Sequence, residues 1–72
     1  MTFTELLFCN DEFSFKYDSI KYAVVSENGK RSIYEESSNR LICEFSSNND
    51  LISKGTIKGK KILDILEEIE IL

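Results

Sequence analysis

The sequence predicts an α+β fold: an antiparallel meander of about four strands, one face covered by a C-terminal helix and a short helix preceding it. Three observations lead there. Phe13-Ser14-Phe15-Lys16-Tyr17 alternates apolar and polar residues, as a strand with one buried face requires. Asn28-Gly29 stands between two such segments, and this pair is the strongest short-range hairpin signal because a type I′ turn needs positive φ at both central residues. Ile62, Ile65, Leu66 and Ile69 then recur at i, i+3, i+4 and i+7, the apolar stripe of an amphipathic helix.

The 72 residues form one small domain: an N-terminal segment (1–11), the meander (12–45) and the helical cover (49–72). A chain of this size buries only about 60% of its unfolded surface. It has no proline, histidine or tryptophan and two cysteines, so no metal or disulfide framework supplements its core. Either the packing is efficient or a partner chain completes it.

In chain order, residues 1–9 carry Phe3, Leu6 and Leu7 at helical spacing, and Thr2 with Glu5 matches a capping box. This favours one or two helical turns, although the Thr- and Phe-rich composition also suits a short buried strand. Asn10-Asp11 breaks the pattern. Strands follow at Glu12 to Tyr17, Ile20 to Ser26, Arg31 to Glu35 and Arg40 to Phe45. Asp18-Ser19 and the polar run Glu36 to Asn39 join them, and connections this short exclude a parallel crossover. The second strand has Ile20, Tyr22 and Val24 on one face and Ala23 and Val25 on the other, which calls for a central strand with cover on both sides. In the fourth, alternation places Leu41, Cys43 and Phe45 inward.

Ser46 to Asp50 is a run of N-cap residues launching a short helix from Asn49 to Lys54, and Gly55 stands where a helix C′ glycine belongs. Thr56 to Lys60 is a connector anchored by Ile57. The last helix runs from Lys61 to Glu68, and Ile69-Glu70-Ile71-Leu72 either extends it or, by its alternation, leaves as a terminal strand. Ile62, Ile65, Leu66 and Ile69 are expected to pack on Phe13, Phe15, Val24, Leu41 and Cys43.

The net charge of −4 disfavours general binding of nucleic acid through a basic field. Cys9 and Cys43, beside Phe8 and Ile42, read as two reduced, buried thiols; a disulfide would require an oxidising compartment. No basic-then-apolar leader and no apolar run of about 20 residues is present, so the expected location is the cytoplasm, with no membrane partner.

No catalytic constellation emerges, and the expectation is a protein that is not an enzyme, with no cofactor and no metal. Without histidine the usual general base is missing. Gly55-x-x-x-Gly59-Lys60-Lys61 misses the phosphate-loop spacing by one residue and lacks its terminal hydroxyl. Asn48-Asn49-Asp50 is oxygen-rich, but no EF-hand spacing follows.

Interaction residues are more visible. Lys58, Lys60 and Lys61 open the last helix, and Asp64, Glu67, Glu68 and Glu70 lie toward its end, opposite to the preference of the helix dipole. Glu67, Glu68 and Glu70 are therefore candidate contacts for a protein partner, with Tyr34 as an amphipathic contact residue. A homodimer through a sheet edge is a further form of the same idea. The alternative is a small nucleic-acid-binding protein using Lys54, Lys58, Lys60 and Lys61, with Phe13, Phe15, Tyr17, Tyr22 and Tyr34 as a stacking surface.

Phe-x-Phe-x-Tyr-x-x-x-x-Tyr across Phe13 to Tyr22, and Ile57-Lys58-Gly59-Lys60-Lys61-Ile62-Leu63-Asp64-Ile65, resemble motifs of a loose group of small, acidic, uncharacterised proteins of phages and mobile elements of Gram-positive bacteria. The resemblance covers residues 13–71 and carries over no catalytic residue. It implies an accessory factor, such as an inhibitor of a host protein.

Overall fold

The computed structural model describes residues 2–72; residue 1 of the predicted 1–11 segment lies outside them. The chain runs α1 (Phe3–Cys9), β1 (Phe13–Tyr17), β2 (Ile20–Glu27), β3 (Lys30–Glu35), β4 (Arg40–Phe45), α2 (Asn48–Lys54), β5 (Thr56–Ile57), β6 (Lys60–Lys61), α3 (Ile62–Ile65), a 3-10 turn (Leu66–Glu68) and β7 (Glu70–Ile71). The meander β4-β3-β2-β1 is present, and β7 adds a fifth strand on the free side of β1. All pairings in this sheet are antiparallel.

Residues 3–9 resolve to helix. The Glu5 amide donates to Thr2 Oγ1 at 3.2 Å and the Thr2 amide to Glu5 Oε1 at 2.9 Å, the reciprocal capping box that satisfies two otherwise orphaned donors. These bonds hold the Glu5 carboxyl below its usual range. Three hairpins use two-residue turns with positive φ at both positions: Asp18-Ser19, Asn28-Gly29 and Lys58-Gly59. Such turns match the right-handed twist of their strands. The third lies inside the segment expected to be a plain connector, which is instead the miniature hairpin β5-β6. Ile57, its anchor, is fully buried.

One face of the sheet is covered. Phe15, Tyr17, Tyr22, Val24 and Ile33 form a single apolar cluster with Phe3 and Leu7 of α1, Leu51 of α2, Ile57, and Ile62 and Ile65 of α3. The ring of Phe15 stacks on Tyr22 with centroids 5.3 Å apart and meets Phe3 edge-on at 5.3 Å. The other face, with Ala23 and Val25, carries no helix, so the expected cover on both sides of β2 does not form; these two residues are only half-buried.

Leu41 and the last helix depart from the expected arrangement. Leu41 does not point inward: the β3–β4 register shifts between Ile33 and Tyr34, so Ile33 faces Cys43, Tyr34 faces Leu41, and Ile42 has no partner. The extra residue is a β-bulge that reverses the alternation beyond it, and Leu41 stands on the open face, 47% exposed. The last helix is short, a four-residue α3 tightening into the 3-10 turn. It has no side-chain N-cap bond, and its acidic end opposes the dipole. Ile69 to Leu72 takes the strand alternative: Ile71 pairs with Phe15, Glu70 with Lys16, and the Leu72 amide donates to the Ser14 carbonyl at 3.2 Å.

Gly55 is not a left-handed C′ residue; its backbone is extended, at φ −65°. Glycine is needed there for space, since a Cβ would come within 2.5 Å of the Leu51 carbonyl oxygen and 2.7 Å of Ile62 Cδ1. Both cysteines are free thiols, but only Cys43 is half-buried, with burial raising its pKa, whereas Cys9 is exposed.

Candidate interaction surfaces

The largest polar assembly centres on Arg31, which the sequence had marked only as the start of a strand. Its side chain projects from β3 on the core side and is buried. Nε donates to Asn48 Oδ1 at 2.8 Å, one terminal nitrogen to the Asp11 carbonyl and Ser26 Oγ, and the other to the Leu7 and Asn10 carbonyls, both at 2.6 Å. The guanidinium thereby joins the C-terminal end of α1, the loop into β1 and the first residue of α2. Burial lowers its pKa from the usual arginine value. A polar cavity of about 330 Å³ lies beside it, with Cys9, Lys30 and Ser47 in its wall. All five guanidinium N–H groups are already used, so this arginine has no donor left for an anion in that cavity.

The four lysines of the basic cluster are separated in their pairing. Lys58 Nζ bonds Asp18 Oδ2 at 2.6 Å, and Lys54 Nζ lies 3.7 Å from Asp50 Oδ1. The first contact holds the Asp18 carboxyl below and the Lys58 ammonium above their ordinary values. Lys60 and Lys61, exposed on β6, take part in no ion pair among the described residues. Of the five aromatics considered for stacking, Phe15, Tyr17 and Tyr22 are buried beneath the helices and Phe13 packs at the edge of the same core. Only Tyr34 occupies the open face.

Tyr34 donates to Glu27 Oε1 at 3.1 Å, a bond that raises the phenol pKa. It borders a shallow hollow of about 420 Å³ floored by Ala23 and Val25, with Glu12, Glu27 and Glu36 around it. Ala23, one of the residues lining it, stands opposite Tyr34 in the ladder.

The C-terminal acids stand elsewhere. Glu67 and Glu68 lie on the 3-10 turn, beside Asp64 at the end of α3. Glu70 lies on β7 opposite Lys16, and strand alternation puts it on the open face rather than with the other three. None of these four carboxylates joins an ion pair among the described residues, although five pairs neutralise acids elsewhere. Between the start of α1 and the chain's last turn runs an apolar groove of about 530 Å³, lined by Phe3, Leu66, Ile69 and Ile71, with Thr2, Thr4 and Glu67 at its margin. Glu67 and Glu68 are thus brought together, while Glu70 and Tyr34 belong to the opposite face. Sequence reading found the acids but not the groove, because Phe3 meets Ile69 and Ile71 only after β7 pairs with β1.

Among the described residues no group of three His, Cys, Asp or Glu side chains converges as a metal site would need, and no helix is long and apolar enough to cross a membrane. No family model matches the chain, and neither a curated protein nor a solved structure does.

Proposed function

We propose that this protein is a non-enzymatic module that acts by binding a protein partner. The observation that carries the reading is the apolar groove of Phe3, Leu66, Ile69 and Ile71, open at the surface beside carboxylates that join no ion pair among the described residues. A groove walled by the half-buried Leu66, Ile69 and Ile71 over the buried Phe3, and rimmed by charge, has the character of an interaction site. The resemblance extends the proposal to an accessory factor of a phage or mobile element, such as an inhibitor of a host protein. Binding of nucleic acid has less support, since two of its four lysines are engaged by Asp50 and Asp18 and most of the aromatics are core. Pairing through a sheet edge also has less, because β4 carries a bulge and β7 is two residues long.

The test is affinity capture from a Gram-positive bacterial lysate, with and without nuclease, using wild type and a Lys60→Glu/Lys61→Glu variant. The expected result is one predominant protein, retained after nuclease and by the variant. Recovery abolished by both treatments would transfer the function to nucleic acid.

A further inference from the structure

We infer that the groove between α1 and the 3-10 turn receives a basic amphipathic helix of the partner protein. This rests on the protein-binding reading and names the chemistry that would satisfy it. The groove is lined by four apolar side chains, and its polar margin comprises two threonines and Glu67. Its volume is about 530 Å³, a surface depression that side chains of a docked segment can enter. A second hollow adjoins it, lined by Leu63, Asp64, Leu66, Glu67 and Glu68. Leu66 and Glu67 belong to both, so the two depressions form one surface.

Along that surface an apolar floor (Phe3, Leu66, Ile69, Ile71 and the half-exposed Leu63) is bordered by Asp64, Glu67 and Glu68. A ligand matching both properties needs an apolar stripe with cations beside it. An amphipathic helix supplies anchors at i, i+3, i+4 and i+7 and places Lys or Arg at the flanks. An anionic membrane surface or a nucleic acid would meet three carboxylates that join no ion pair among the described residues, and be repelled. Strand addition is the weaker mode, because β7 offers an edge of only two residues. The like charges at Asp64, Glu67 and Glu68 oppose the folded turn, and an incoming cationic flank removes that repulsion on binding.

The probe is a synthetic Leu/Lys peptide of about 15 residues, near the minimum for a helix in water, with leucines at helical period. Its controls are the same composition in shuffled order and a Leu/Glu peptide of the same period. Each is titrated into the ¹⁵N-labelled protein. Expected are saturable shifts at Phe3, Leu66, Glu67, Ile69 and Ile71 with the patterned basic peptide alone. Glu67→Lys, an exposed substitution whose fold is checked by its amide spectrum, should weaken that binding roughly tenfold.

Equal binding of the shuffled peptide, unchanged affinity in folded Glu67→Lys, or no saturable shift at the groove overturns the inference. Shifts centred on Ala23, Val25 and Tyr34 would overturn the groove while leaving the protein-binding reading in place. That reading stands or falls separately, on the nuclease-resistant capture.

Discussion

Each of the five N–H groups of Arg31 has an acceptor, and three of those acceptors are main-chain carbonyls of Leu7, Asn10 and Asp11. A buried polar group stripped of its partner costs about 1–3 kcal/mol. Arg31→Met removes the donors and leaves the carbonyls, so urea denaturation should show a loss of about 3 kcal/mol. A loss below about 1 kcal/mol would mean that water in the adjoining cavity replaces the guanidinium. Arg31→Lys should recover less than half, since an ammonium cannot span acceptors arranged around a planar fork. The sequence contained a trace of this role: alternation back from Ile33 puts Arg31 on the core face, where a charge demands partners. Their identity was hidden because they lie 5 to 24 residues away. By contrast, the Thr2–Glu5 cap and the Asn28-Gly29 turn are local chemistry and could be read directly.

At the scale of elements, strands bounded by turn residues were legible to within a residue or two, because the period of side-chain alternation and the turn preferences agree. The departures arise where tertiary contact decides. The β4 bulge moves Leu41 outward, and nothing in Arg40 to Phe45 announces an unpaired Ile42. After Glu68 the sequence leaves helix and strand both open, and pairing of Glu70 and Ile71 with β1 decides for the strand. Gly55 shows how one residue type supports two readings with opposite consequences. Its backbone conformation is open to any residue, and there Gly→Ala ordinarily stabilises by about 0.4–1 kcal/mol by restricting the unfolded chain. Here the added methyl meets the Leu51 carbonyl and Ile62, one of which is backbone. Overpacking of this kind costs about 1–3 kcal/mol. Gly55→Ala should therefore lower the thermal midpoint; a rise would show that α2 and α3 separate easily.

For the whole molecule, the governing fact is a sheet covered on one face by short helices. The core is a single cluster drawn from every layer, with Phe15 touching both Tyr22 in the sheet and Phe3 in α1. The opposite face can present Tyr34 and Leu41 because no helix covers it. A chain of this length is expected to have a stability of about 4–11 kcal/mol. Phe15 is wholly buried, and Phe15→Ala should cost about 3–5 kcal/mol, a large part of that total. The midpoint should fall by about 4–8 °C per kcal/mol lost. Leu41→Ala supplies the counterpart. Because the bulge turns Leu41 outward, its truncation should change stability by no more than about 0.5 kcal/mol. The unbroken alternation of β4 would instead bury Leu41 beside Cys43 and make its truncation cost about 2–5 kcal/mol. Measuring both variants by thermal unfolding separates the two registers. A large loss at Phe15 with none at Leu41 is the signature of the one-sided sheet, whereas comparable losses would require the bulge to be absent and Leu41 to lie on the covered face.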